Sequence, residues 1–180
     1  MPAVKTTIAS FPNTGGTDPD GALFMDSNGD LIGATVHGGA NGIGTTYEIA
    51  KIAGGYATTP TFLADIPGSL NTRVGVPNLS ADAGGDLFGL ELTGSANSLG
   101  AVVEFPKAGG SAPLPTTFSG GAGGSHPGGR LLVDANGNLF GTTLSGGANN
   151  AGTVFEIQKT GNTYATSPTI LTSFSSGIVP

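Results

Sequence analysis

The sequence predicts an all-β chain in which one four-stranded unit is used three times. Three observations carry that reading. The pattern Asp-x-x-Gly-x-Leu-x-Gly starts at Asp26, recurs 56 residues later at Asp82, and recurs 52 residues after that at Asp134. A repeat of this length has to be recognised before any local element is assigned. Between the copies, short β-favouring runs alternate with Gly, Asn and Pro clusters, which mark strands and turns. Lastly, the 33 Gly and 12 Pro among 180 residues leave little room for helix interior, and the glycines recur in register, as turn residues do and disordered tracts do not.

Taken in order, Lys5 to Phe11 is a β-favouring run that resembles Thr169 to Phe174 at the far end, and Pro12 to Asp20 reads as a loop. The first unit then opens with a strand at Ala22–Met25 and a tight turn at Asp26–Asp30, where Asn28-Gly29 suits positive φ. A second strand covers Leu31–Val36, a Gly/Asn loop His37–Gly44, a third strand Thr45–Ile52 and a fourth Thr59–Ile66. In the second unit Asp82, Gly89, Gly94, Asn97, Gly100, Glu104 and Lys107 fall in the same register, and in the third Asp134, Gly141, Gly146, Asn149, Gly152, Glu156 and Lys159. The step of 52 is shorter because the last hairpin of unit two, around Ser111–Leu114, is shorter than Gly161–Ser167, a change that costs little at a hairpin tip. The units run about 20–66, 76–119 and 128–174 within one domain over 1–180, with an extra N-terminal strand at 4–11.

Faces follow from the alternation. Leu31, Leu87 and Leu139 point one way and Ile32, Phe88 and Phe140 the other, so the sheets are expected to be covered on both sides. Gly33, Gly89 and Gly141 lie inside that strand, which suggests close approach by neighbouring backbone. Tyr47, Val103 and Phe155 share a face with Ile49, Phe105 and Ile157, while Glu48, Glu104 and Glu156 take the opposite face, as in an outer strand. Stacked blades of a β-propeller supply these features, and a β-trefoil, also with four strands per repeat, is the rival. Closed propellers have about 4 to 8 blades. Three blades are therefore expected to close by self-association, as a homodimer or larger ring, with the strand at 4–11 pairing across the junction onto the partner's terminal blade.

The run Gly137-Asn138-Leu139-Phe140-Gly141-Thr142-Thr143, then Gly146-Gly147, then Gly152-Thr153-Val154-Phe155-Glu156, resembles the bacterial GloVer repeat, the Gloeobacter/Verrucomicrobium type. Units one and two match with substitutions, Ala34 and Leu90 standing at Thr142 and Glu91 at Thr143. The resemblance implies a propeller-like, exported or surface-anchored bacterial protein and brings no catalytic residues with it.

Composition excludes several functions. A net charge of −6 provides no phosphate footprint for nucleic acid and no basic cluster for a membrane surface. No apolar run reaches the ~18 residues of a spanning helix, and Met1–Lys5 does not read as a signal peptide. Cysteine is absent, so disulfides and thiolate chemistry are excluded. Charged residues are only 10%, and the Thr, Ser, Asn and Gly surface that remains points to a secreted or cell-surface location.

No metal, cofactor or catalytic set is expected. Asp26-x-Asn28-x-Asp30 has calcium-like spacing, but an EF-hand wants Gly at its sixth position and Glu at its twelfth, and here Gly29 is fourth and His37 is twelfth, so an Asx-stabilised turn is expected. His37 and His126 occupy non-equivalent positions and read as solvated loop residues. Ser125 lacks the last Gly of a nucleophile elbow, because Pro127 stands there. Glu48, Glu104 and Glu156 recur in every unit, which points to structure and away from a single catalytic pair. Glu91 is the out-of-pattern carboxylate and a candidate functional group. The better candidates are Asn41, Asn97 and Asn149, whose loops would present amides and backbone groups to sugar hydroxyls. The expected function is a non-catalytic repeat scaffold that binds a glycan or surface partner through these loops. The alternative is a hydrolase or lyase whose site forms only in the assembled ring, with Arg73, Glu91, His126 and Arg130 near its centre.

Overall fold

The computed structural model describes residues 6–12, 15–66, 79–93, 95, 97–107, 109 and 116–175. Unit one forms β1 (Gly16–Met25), β2 (Leu31–Gly38), β3 (Thr45–Ile49), a small ribbon of β4 (Lys51–Ile52) and β5 (Gly55–Tyr56), and β6 (Thr61–Asp65). Unit two contributes β7 (Ser80–Ala81), β8 (Leu87–Glu91), β9 (Ala101–Phe105) and β10 (Thr116–Thr117). Unit three has β11 (Ser125–Val133), β12 (Leu139–Ser145), β13 (Thr153–Ile157), the ribbon β14 (Lys159–Thr160) and β15 (Thr163–Tyr164), and β16 (Thr169–Ser173). Among the described residues there is no α-helix, and a 3-10 turn sits at Gly121–Gly123.

Each unit makes its own antiparallel four-stranded meander, in the orders β1-β2-β3-β6, β7-β8-β9-β10 and β11-β12-β13-β16. No sheet closes on itself, and each draws all its strands from one unit, whereas a trefoil would pool strands of different units in one barrel. The turn at the head of each unit is the same object. The Asp26 backbone N–H donates to the Asp30 carbonyl at 3.0 Å, and the Gly29 N–H donates to the Asp26 carbonyl at 3.0 Å. The Asp26 carboxylate also accepts from the backbone N–H groups of Asn28 and Asp30, both at 2.9 Å. Asp82 and Asp134 repeat this pattern. Gly29, Gly85 and Gly137 have φ of 83°, 89° and 84°, the region that an Asx turn closing a hairpin asks of its Gly.

The register sets which side chains meet. Leu87 pairs with Phe105 and Gly89 with Val103 on one face, while Phe88 pairs with Glu104 and Leu90 with Val102 on the other. The first face packs against Ile32, Ala34, Ala64 and Ile66 of unit one, and the second against Leu131, Leu139, Phe155 and Ile157 of unit three. The sheets therefore stack face on face in chain order, with the middle one buried on both sides. The far face of unit one, with Leu31, Tyr47 and Ile49, is covered by Ala9 and Phe11. The far face of unit three is open: Leu144 is 65% exposed, and Leu132 and Leu171 are also exposed.

Several expectations need correction. The loop expected at 12–20 is β-strand from Gly16, because Thr17 and Pro19 pair with His37 and Thr35 before an irregularity between Asp20 and Phe24. The expected third strand splits at Ala50, its tail turning aside as the β4–β5 ribbon. Residues 6–11, expected as strand, carry none; they run as a strap tied by the Ser10 N–H to the Thr58 carbonyl at 3.0 Å, and the remainder of the expected strand at 4–5 lies outside the described residues. Two of the strand-interior glycines, Gly33 and Gly141, face a side chain, not a backbone. A Cβ on Gly141 would lie 2.5 Å from Phe155 Cζ, and one on Gly33 would lie 2.6 Å from Tyr47 Oη, so Gly makes room for the ring paired opposite. Backbone approach instead explains Gly44, Gly100 and Gly152, where a Cβ would strike the carbonyl oxygens of Thr35, Glu91 and Thr143. The third strand is not an outer strand, since β6 and β16 flank β3 and β13.

Candidate functional site

The recurring charges converge where one unit meets the next. Lys107 Nζ reaches Asp26 Oδ2 of the preceding unit at 3.0 Å, with Glu48 at 4.0 Å. Lys159 Nζ reaches Asp82 Oδ2 at 2.8 Å in the same way. Each Lys is aimed by its own unit, because its backbone N–H donates to a turn side chain: Lys51 to Asp30, Lys107 to Asp86 and Lys159 to Asn138. Burial raises the Asp26 carboxyl, but hydrogen bonds from Lys107 and from the N–H groups of Asp30 and Asn28 outweigh it and hold the group below the usual Asp value. The Asp26 hydrogen bond in turn raises Lys107. Glu104 goes the other way, raised by burial and by Asp86 and Asp82 against the pull of Lys159. Glu48 and Glu104 are thus half-buried junction residues, while Glu156, paired with Phe140, lies on the open face of unit three. Sequence reasoning noted that the Lys recurs but missed its partner, which lies one unit back at separations of 81 and 77 residues; the constant spacing from its own unit's turn signals only where its backbone is held.

Lys51 and Asp134 are the two ends of this ladder. Lys51 Nζ lies 4.2 Å from the Tyr56 ring centroid, much as Lys159 Nζ lies 5.2 Å from that of Tyr164. Asp134 Oδ2 accepts from Asn138 Nδ2 at 3.0 Å.

The three loop asparagines are not equivalent. The Asn41 amide donates to the Ile66 carbonyl at 2.8 Å and closes its loop onto the end of β6. Asn97 and Asn149 are exposed. In the third loop the neighbouring Asn150 does the structural work, its Oδ1 accepting from the Gly146 N–H at 2.8 Å.

Glu91 stands where units one and three carry Thr35 and Thr143. Those hydroxyls lie 3.1 and 2.9 Å from Thr45 and Thr153 across the sheet. In unit two the cross-strand partner is Ala101, whose small side chain makes room for the longer Glu. Glu91 is 0% exposed, and neither carboxylate oxygen has a hydrogen-bond partner. Burial raises its pKa to about 7.

Where the first strands of the three units approach one another lies an open cleft of about 460 Å³, lined by Phe24, Ser80, Ala81 and Arg130–Val133. Ser80 Oγ donates across it to the Leu131 carbonyl at 2.5 Å. Among its described lining residues there is one cation, Arg130, and no carboxylate or histidine. Both histidines are strand residues, not loop residues: His37 Nδ1 lies 3.0 Å from Asp18 Oδ2, and His126 has φ of 56° with Nδ1 3.2 Å from Ser125 Oγ. Glu91 and His126 therefore do not meet Arg130 in a common site, and Arg73 lies outside the described residues. No group of three His, Cys, Asp or Glu that could hold a metal occurs among the described residues. No described helix is long and apolar enough to cross a membrane.

The profile of the Gloeobacter/Verrucomicrobia repeat matches residues 2–179, almost the whole chain. Comparison with curated proteins returns no match.

Proposed function

We propose that this chain, which belongs to the Gloeobacter/Verrucomicrobia repeat family, is a non-catalytic scaffold of propeller-like stacked blades that presents loops to a glycan on an exported or surface protein. One observation carries the scaffold reading: Asp26 with Lys107 and Asp82 with Lys159, with Glu48 beside the first pair, join one unit to the next. The glycan reading is supported by Asn97 and Asn149, exposed amides in Gly-rich loops of a low-charge surface, which suit neutral hydroxyl-rich ligands. Glycan-array binding tests it. The parent should be retained on a subset of glycans, and Asn97→Ala with Asn149→Ala should abolish retention while the melting curve stays unchanged. Asn41 is left intact because its amide holds Ile66. A parent that binds no glycan overturns the ligand.

The hydrolase or lyase reading has one observation on its side, the unpartnered Glu91 with its pKa near 7. Acid–base hydrolysis needs a second carboxyl about 5–10 Å away and access for substrate. Glu91 is fully enclosed, and the described cleft lining has no carboxylate.

A further inference from the structure

We propose that the open face of the third sheet is a docking surface for a second copy of this chain, and that the strap at residues 6–12 is a removable plug over the complementary face. The inference rests on the stacked-blade reading and is independent of the glycan.

The junction between units is built twice within the chain from the same parts. One side offers the turn Asp and the third-strand Glu, Asp26 with Glu48 and then Asp82 with Glu104. The other offers the Lys that follows the third strand of the next unit, Lys107 and then Lys159. Among the described residues, a third half of each kind makes no such junction. Asp134 and Glu156 stand at the open face of unit three, and Lys51 stands at the far face of unit one, already held by Asp30 and seated near Tyr56 as Lys159 is near Tyr164. The two ends are complementary in charge and in repeat register, so the partner that fits one end is the other end of a second copy. The open face carries Phe140, Leu144 and Val154, but Thr142 stands where the inner sheets have Ala34 and Leu90. That makes it less apolar than the buried junctions, as suits a face that is wet in one state and covered in another.

The strap sits where a preceding unit would put its fourth strand. Phe11 meets Tyr47 edge-on at 4.7 Å, and Phe118 at the end of unit two meets Phe155 edge-on at 5.0 Å. Tyr47 and Phe155 are equivalent positions. The Ser10 N–H donates to the Thr58 carbonyl at 3.0 Å, and the Thr117 N–H donates to the equivalent Thr166 carbonyl at 3.4 Å. A docking copy would bring β16 and Phe174 to that same place. β16 is paired along its length with β13, whereas the strap carries no strand pairing and its Ile8 is 46% exposed. The strap is the weaker of the two claimants, and it gives way.

Sedimentation velocity across micromolar concentrations tests this. Removal of residues 1–12 should tighten self-association by about tenfold or more relative to the whole chain, a gap of about 1.4 kcal/mol. Lys51→Glu in that background should reverse the gain, and Lys51→Arg should keep it. Phe11→Ala in the whole chain gives the same reading should the shortened chain fail to fold. Strap removal or Phe11→Ala that leaves the chain monomeric, or that weakens an existing dimer, overturns the proposal. So does a Lys51→Glu variant that associates as well as its parent.

Discussion

Glu91 shows how one residue can break a repeat without breaking the fold. The Thr–Thr hydroxyl pair across the sheet in units one and three is replaced in unit two by a Glu opposite an Ala. Volume is roughly conserved across the pair, but hydrogen bonding is not, and a buried carboxyl without a partner stays neutral by holding its proton. The sign follows from linkage. The folded pKa of about 7 lies above the unfolded value of 4.5, so the folded state binds the extra proton. The associated stability is full below the unfolded pKa and is lost as pH rises through about 7. Glu91→Gln should therefore be nearly neutral at pH 5 and stabilising by roughly 1–3 kcal/mol at pH 8. Urea unfolding at the two pH values checks this, and a parent as stable at pH 8 as at pH 5 contradicts it. The exception was legible in the sequence because the Thr around it repeats. That both oxygens are sealed off was not, since it depends on the neighbouring sheet.

Elements were read more accurately along the chain than across it. The turns at Asp26, Asp82 and Asp134, the alternation along β2, β8 and β12 and the four-strand count all follow from local pattern. The strand at Gly16–Asp20 was hidden because its sequence, Gly-Thr-Asp-Pro-Asp, has turn chemistry; pairing with β2 imposes the extended form. The interior glycines were read as making room for backbone, and only the register shows the aromatic ring opposite Gly33 and Gly141. The Lys ladder lies between elements, beyond the reach of local pattern. Its energetics separate the three Lys. Asp82 is 7% exposed, so Lys159→Met leaves a nearly buried carboxylate without its cation and should cost about 2–4 kcal/mol. Lys51 is exposed and bridges to no carboxylate among the described residues, so Lys51→Met should change stability by less than about 0.5 kcal/mol. Equal effects from the two substitutions in thermal or denaturant unfolding would show that the junction pairs contribute nothing. The advantage of the Asp26–Lys107 pair is fully present above the unfolded value of 3.8 and is lost as pH falls through the lower folded pKa, because the carboxyl then protonates in the folded state too.

At the scale of the whole molecule, stability is a chain of neighbour contacts, and each sheet depends on the one beside it. The three-unit count was legible, but the order of stacking was not, because alternation gives two faces per sheet without saying which face meets which neighbour. The structure places Phe88, Leu90, Val102 and Phe118 against unit three, all nearly or fully buried. A chain ending at residue 119 keeps units one and two and uncovers all four at once. Burial of such side chains is worth about 1.5–3 kcal/mol each, so the loss is comparable with the whole stability of a small domain. The same cut removes Lys159 and leaves Asp82 unpaired. The exposed face would also be more apolar than the native open face, with Leu90 in place of Thr142. The shortened chain should therefore bind a hydrophobic dye, lose its cooperative melting transition and aggregate at concentrations where the whole chain stays dispersed. A dye-silent fragment that melts cooperatively would mean that units one and two form a self-sufficient pair, and stacking on unit three would then contribute little to the fold.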